Sequence, residues 1–235
     1  MRALFIGLLS IVLSGCGSAP NTPGNGRPDV RPTDFALVPC GPVHAERPCV
    51  LIIAGGKRVL LGAPAGVAET IVEEDLAQLD VVMIFSLHAE DIEGLDEVRN
   101  ASWRAGRQAP LLVAGPEGTI AAVEALNRAF EVADALRVVE EGMPPGGYDA
   151  AVLTGQDLRG NDWQTAYDTG DLVVRARSHS AQRIMFEVQY RETVRISPCG
   201  GREDVTEVPE TRGLTCEGAD IAWPLAKTVF IRKSQ

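Results

Sequence analysis

The chain has 235 residues, 45% of them hydrophobic and only 5% aromatic, with a formal charge of −10 at pH 7. That is enough apolar material for one well-buried core, filled mainly by aliphatic side chains. The acidity excludes nucleic acid as the expected ligand, because a phosphate backbone would be repelled and no Lys/Arg run forms a basic patch.

The N-terminus reads as a targeting segment. Arg2 supplies a positive start, and ALFIGLLSIVL is an apolar run of signal-peptide length, too short to cross a bilayer as a helix. Leu13-Ser14-Gly15-Cys16 follows and resembles the lipobox of bacterial lipoproteins. The resemblance implies cleavage before Cys16 and acylation of its thiol and amine. With Gly17 after the Cys, it implies sorting to the outer membrane, facing the periplasm. Residues 1–15 are then a signal peptide. Residues 16–33 carry the lipidated Cys and a stretch rich in Pro, Gly, Asn and Ser, expected to be a flexible tether. Residues 34–235 are expected to form a single domain.

With Cys16 set aside, Cys40, Cys49, Cys199 and Cys216 remain, as suits an oxidising compartment. Four cysteines allow three pairings. The local one, Cys40 with Cys49 and Cys199 with Cys216, is the expected framework.

In chain order, FALVP reads as a short strand. CVLIIA and KRVLL are apolar, β-branched runs separated by Gly55-Gly56, a hairpin signal. GVAETIVEEDLAQL places Val67, Ile71, Val72, Leu76 and Leu79 on one helical face. DVVMIF is a wholly apolar run, as expected of a buried central strand. After a loop come a helix over about 93–105, the strand PLLVA, and a long Ala-rich helix opened by the turn residues Gly115 to Gly118. That turn reads first as a helix start with Pro116 near its first position, and second as an anion cradle. The second half alternates apolar and polar residues in YDAAVLTG, DLVVRARS, QRIMFEVQY and ETVRIS, and KTVFIR closes the chain. Helices and strands alternate first and a strand meander follows, which predicts an α/β (α+β) layered domain. Trp103, Trp163 and Trp223 read as core or rim residues. His44, between Cys40 and Cys49, reads as an exposed loop residue.

The order hairpin, helix, apolar strand, His-containing loop, helix, strand resembles the metallo-β-lactamase fold, in particular its ribonuclease Z-like hydrolase branch, over about Cys49 to Gly201. AGGKRVLLGAPAG, RQAPLLVAGPEGT, GDLVVRARSHS and ETVRISPCGG carry the likeness. It implies an αββα sandwich with a metal site at the strand ends. The family's first motif, His-x-His-x-Asp-His, reads here Ser86-Leu87-His88-Ala89-Glu90-Asp91. One later ligand survives as His179. Gly62 stands where an Asp closes the opening hairpin, and the bridging Asp falls at about Cys199. The last ligand His has no counterpart, since the chain has 3 His in all.

Two readings of the site follow from the resemblance. His88, His179 and one of Glu90 or Asp91 supply the three protein ligands of a mononuclear zinc or similar divalent centre. Alternatively the histidines are cleft residues hydrogen-bonded to Glu90, Asp91 or Ser86, and the two acids occupy the first turn of a helix. Cys199 is either a thiolate ligand or the disulfide partner of Cys216, and the disulfide is the favoured reading. The expected protein is therefore lipid-anchored in the cell envelope, with the membrane as a partner and an envelope protein as a candidate second one. Its degenerate metallo-β-lactamase-like domain is expected to bind or scaffold, with no cofactor. A depleted metal-dependent hydrolase acting on an ester, lactone, amide or phosphodiester is the alternative.

Overall fold

The structure is a computed structural model, and it describes residues 30–31, 33–41, 49–180, 183–191, 195–196, 225 and 227–231. Cys16, Cys199, Cys216, His44 and Trp223, and the readings placed on them, lie outside the described residues.

Three strands open the fold. β1 (Phe35–Cys40), β2 (Cys49–Ala54) and β3 (Lys57–Leu61) run antiparallel. Gly55 and Gly56, with φ of 59° and 75°, make the tight turn between β2 and β3, a geometry that costs a side-chain-bearing residue energy at both positions. β4 (Val81–Met83), β5 (Leu111–Gly115) and β6 (Leu153–Asp157) then add parallel to β3 in chain order. β11 (Val229–Phe230) pairs with β1, so the large sheet reads β11-β1-β2-β3-β4-β5-β6. A second, antiparallel sheet holds β7 (Gln164–Asp168), β8 (Leu172–Ser180), β9 (Arg183–Tyr190) and β10 (Arg195–Ile196).

The strand alternation sorts two cores. Val59, Leu61, Val81, Met83 and Phe85 face the second sheet, meeting Leu172, Val174, Ala176, Ile184, Phe186 and Val188. Leu51, Ile53, Leu60, Val82, Ile84 and Val113 face the opposite way, against helices. Those helices are α1 (Val67–Thr70), α2 (Glu73–Ala77), α3 (Ala89–Ile92), α4 (Leu95–Arg104) and α5 (Thr119–Glu141). The expected α/β layered class is borne out, with helices, a mixed seven-stranded sheet and a four-stranded sheet as successive layers. Among the described residues every helix precedes the strands of the second sheet in the chain.

Three elements depart from the sequence expectation. The helix expected across 66–79 is two short ones. Thr70 Oγ1 donates to the carbonyl of Val67 at 2.7 Å, and Ile71 and Val72, both β-branched, take extended backbone between α1 and α2. The helix expected over 93–105 begins after Gly94, where an added Cβ would stand 2.1 Å from the Pro64 carbonyl oxygen. Only glycine permits that approach, and its N–H donates to the carbonyl of Ala63 at 2.9 Å. The strand β7 has no counterpart in the reading above. Its sequence QTAYD is polar, and Ala166 alone is buried, as befits an edge strand.

Two polar ties reinforce the layers. The buried Arg99 of α4 forms a two-pronged ion pair with the buried Asp134 of α5, one prong being Nη1 to Oδ1 at 3.0 Å. Where β4 begins, Asp80 accepts from the Arg58 N–H at 2.8 Å and from Lys57 Nζ at 3.1 Å. The Tyr167 hydroxyl of the second sheet reaches the same carboxylate. Burial, then the Asp80 charge and hydrogen bond, push its pKa up to about 12.

Cys40 and Cys49 form the expected disulfide, their Cα atoms 5.3 Å apart as the terminal register pair of β1 and β2. Closing a loop with a sequence separation of 9 restricts the unfolded chain by about 2.5 kcal/mol. A Cys40→Ser/Cys49→Ser double variant is expected to lose that much stability in urea unfolding while keeping the native far-UV spectrum.

Candidate functional site

The site expected from the sequence lies where β4 ends. Ile84 stays in register with β5 through its N–H to the Ala114 carbonyl at 2.9 Å. Phe85 turns into the inter-sheet core, its ring edge-on to Phe186 with centroids 5.4 Å apart. The Phe85 carbonyl accepts from the Ile184 N–H at 2.8 Å, and Ser86 bridges Arg183. The start of β9 is thus sewn onto the end of β4.

Ser86 is completely buried. Its hydroxyl donates to the carboxylate of Asp91 and accepts from the His88 N–H at 3.1 Å. The Asp91 N–H returns to the His88 carbonyl at 3.0 Å, and the Asp91 carbonyl accepts from Ala63 at 3.1 Å. This closed set of bonds fixes the loop between β4 and α3 against the chain leaving β3. Asp91 is buried with its carboxylate turned inward, while Glu90, also in the first turn of α3, is exposed. His88 occupies the N-cap position of α3 without a side-chain cap bond, and its side chain is exposed. His179 is exposed near the end of β8, where the register with β9 shifts between Ser178 and Ser180.

The structure therefore brings Ser86 and Asp91 together and leaves His88, Glu90 and His179 at the surface. Among the described residues no three of His, Cys, Asp and Glu stand together so as to hold a metal ion. Among the described residues the donor set does not fit a zinc centre. A catalytic zinc takes three protein ligands with one open position, and here Asp91, one of the two carboxylates the sequence offers, is engaged by a hydroxyl in a buried setting.

The Gly115–Gly118 turn meets a different fate from an anion cradle. Thr119 Oγ1 donates back to the Pro116 carbonyl at 2.7 Å. Asp157, at the end of β6, accepts from the Ile120 N–H at 3.0 Å and so supplies a negative charge to the start of α5 from within the chain. Burial works to raise the Asp157 pKa. The N–H groups of Ile120 and Gly118, with Arg159, outweigh it and hold the carboxyl below its usual range. Nothing near Gly115 in sequence announces this capping residue, because the two segments meet only through β5–β6 pairing.

No protein-family model matches the sequence, and no curated protein matches it. Solved structures similar to this chain include the metallo-β-lactamase fold protein YhfI from Bacillus subtilis, at 12% identity and a TM-score of 0.49, over 70% of this chain and 61% of that one. The short form of human tRNase Z is similar at 16% identity and a TM-score of 0.49, over 72% and 68%. A diphosphatase from the PhnP family is similar at 17% identity and a TM-score of 0.44, over 70% and 64%. This chain spans 61% of the YhfI length.

Two outcomes check the site. Ser86→Ala removes a donor from a buried carboxylate and is expected to cost about 1–3 kcal/mol in chemical denaturation; a neutral result would mean the pair contributes nothing. For Asp157, the depressed folded pKa makes its stabilisation present above the unfolded carboxylate pKa of about 3.9. That stabilisation is lost as pH falls through the folded value. Asp157→Asn is therefore expected to lower stability at pH 6 and to flatten the acid limb of the stability–pH curve.

Proposed function

We propose that this chain is a lipid-anchored envelope protein whose metallo-β-lactamase-like domain binds or scaffolds an envelope partner without catalysis. In this reading the lipidated Cys16 and the 16–33 tether hold the domain of residues 34–235 at the outer membrane, facing the periplasm. The observation that carries the reading is the Ser86–Asp91 hydrogen bond. A position that answers to a metal ligand in the family motif is spent on fixing the backbone of its own loop. His88, Glu90 and His179 are exposed, and among the described residues no three of His, Cys, Asp and Glu stand together so as to hold a metal ion. What the loop retains is the strand-end frame, held by N–H, carbonyl and hydroxyl groups that need no ion.

The alternative, a depleted metal-dependent hydrolase, differs from this reading in one measurable quantity. The chain, purified without chelator and then incubated with excess zinc, is expected to carry no stoichiometric metal by mass spectrometry. Near-stoichiometric zinc, manganese or iron that is lost from both His88→Ala and His179→Ala would sink the scaffold reading in favour of a hydrolase. In the same preparations Cys16→Ser is expected to abolish palmitate labelling and to move the chain out of the membrane fraction.

A further inference from the structure

Buried cations in this fold are matched by carboxylates of the chain, with one exception. Among the described residues the buried cations are Arg58, Arg99 and Arg107, and the buried acids are Asp75, Asp91, Asp134 and Glu187. Arg58 Nε meets Asp75 at 2.7 Å, and Arg99 holds Asp134 through two nitrogens. Glu187 stands 3.6 Å from the partly exposed Arg175, and Asp91 takes the Ser86 hydroxyl. Arg107 has neutral partners only.

Arg107 follows the end of α4 and is 3% exposed. Its Nε donates to the Ser102 hydroxyl at 3.1 Å and its Nη1 to the Ala109 carbonyl. Nη2 is buried and meets no acceptor of the chain, and the same holds for Nε of Arg99. The segment 144–151 packs beside it. Gly146 rests on the Arg107 carbonyl, where a Cβ would not fit, and the Gly147 carbonyl accepts from Trp103 Nε1 at 2.9 Å. Burial, then the Arg99 charge, pull the Arg107 pKa down to about 10, so the group is still a cation at neutral pH. A buried cation served by neutral oxygens alone is costly, and an orphaned buried donor points to a bound water or ion.

We propose that Nη2 of Arg107 holds a small monovalent anion, of which chloride is the representative, as a structural ligand of the fold. Charge sets the valence. Arg99 and Arg107 sense each other and have one buried carboxylate between them, Asp134, which leaves one positive charge unmatched. Burial sets the size, because a group 3% exposed is out of reach of a partner's side chain or of a substituted phosphate. A water would accept one N–H and leave the charge as it was.

The test is thermal unfolding of the full chain in detergent, with sodium chloride or bromide replacing sodium gluconate at a fixed ionic strength of about 0.15 M. The melting temperature is expected to rise as halide replaces gluconate, because the anion binds the folded chain alone. Arg104→Met removes an exposed cation from the same helix and is expected to keep the rise. Arg107→Met is expected to lose it. Crystals grown in bromide give a second reading that needs no variant and decides if Arg107→Met fails to fold: an anomalous bromine peak is expected beside Nη2. Equal melting in every salt would overturn the proposal. So would a halide response that Arg107→Met keeps, or a water without anomalous signal at Nη2.

Discussion

Burial of β4 on both faces is the constraint from which the rest of the architecture follows. Val81, Met83 and Phe85 point into the inter-sheet core, and Val82 and Ile84 point into the helix-side core. A strand buried on both faces needs a neighbour on each edge and a layer on each side, or its backbone groups and apolar side chains go unsatisfied. Pairing with β3 and β5 meets the first demand. The second sheet and the helices meet the second. The loop leaving this strand must therefore emerge at a crowded junction, and the Ser86–Asp91 bond is how the chain accommodates polar groups there.

Much of this was legible in the sequence because it rests on local signals. The apolar run of β4, the Gly55-Gly56 turn and the Ala-rich α5 each announce themselves within a few residues. The Cys40–Cys49 disulfide followed from proximity alone. Less legible were features decided by distant partners. The break at Ile71–Val72 depends on a threonine hydroxyl turning back on its own helix and on burial of Ile71 against other elements. The strand β7 is defined by its pairing with β8 rather than by its own pattern.

At the candidate site the sequence located the loop and named Ser86 and Asp91 among its hydrogen-bonding groups. Reading His88 and His179 as the residues of interest followed from their chemistry as ligands. The structure puts the buried interaction on Ser86 and Asp91, where a hydroxyl and a carboxylate satisfy each other. The start of α5 makes the same point from the opposite direction. A glycine-rich turn before a helix attracts anions by its free N–H groups. Here the anion is a side chain, Asp157, delivered from the adjacent strand. In both places the chain answers its own polar demands internally.

The position of the disulfide has a mechanical meaning. β1 enters the large sheet at Phe35, is held on one side by β2 and on the other by β11, and ends at Cys40. A pull arriving through the residues before Phe35 loads the β1–β2 ladder from the Phe35–Ala54 end. Hydrogen bonds there share the load and open in turn as the strand peels. The Cys40–Cys49 link sits at the far end of that same ladder. It acts as a stop: β1 can be peeled but not extracted from β2, and the sheet can re-zip in its original register once the force is released.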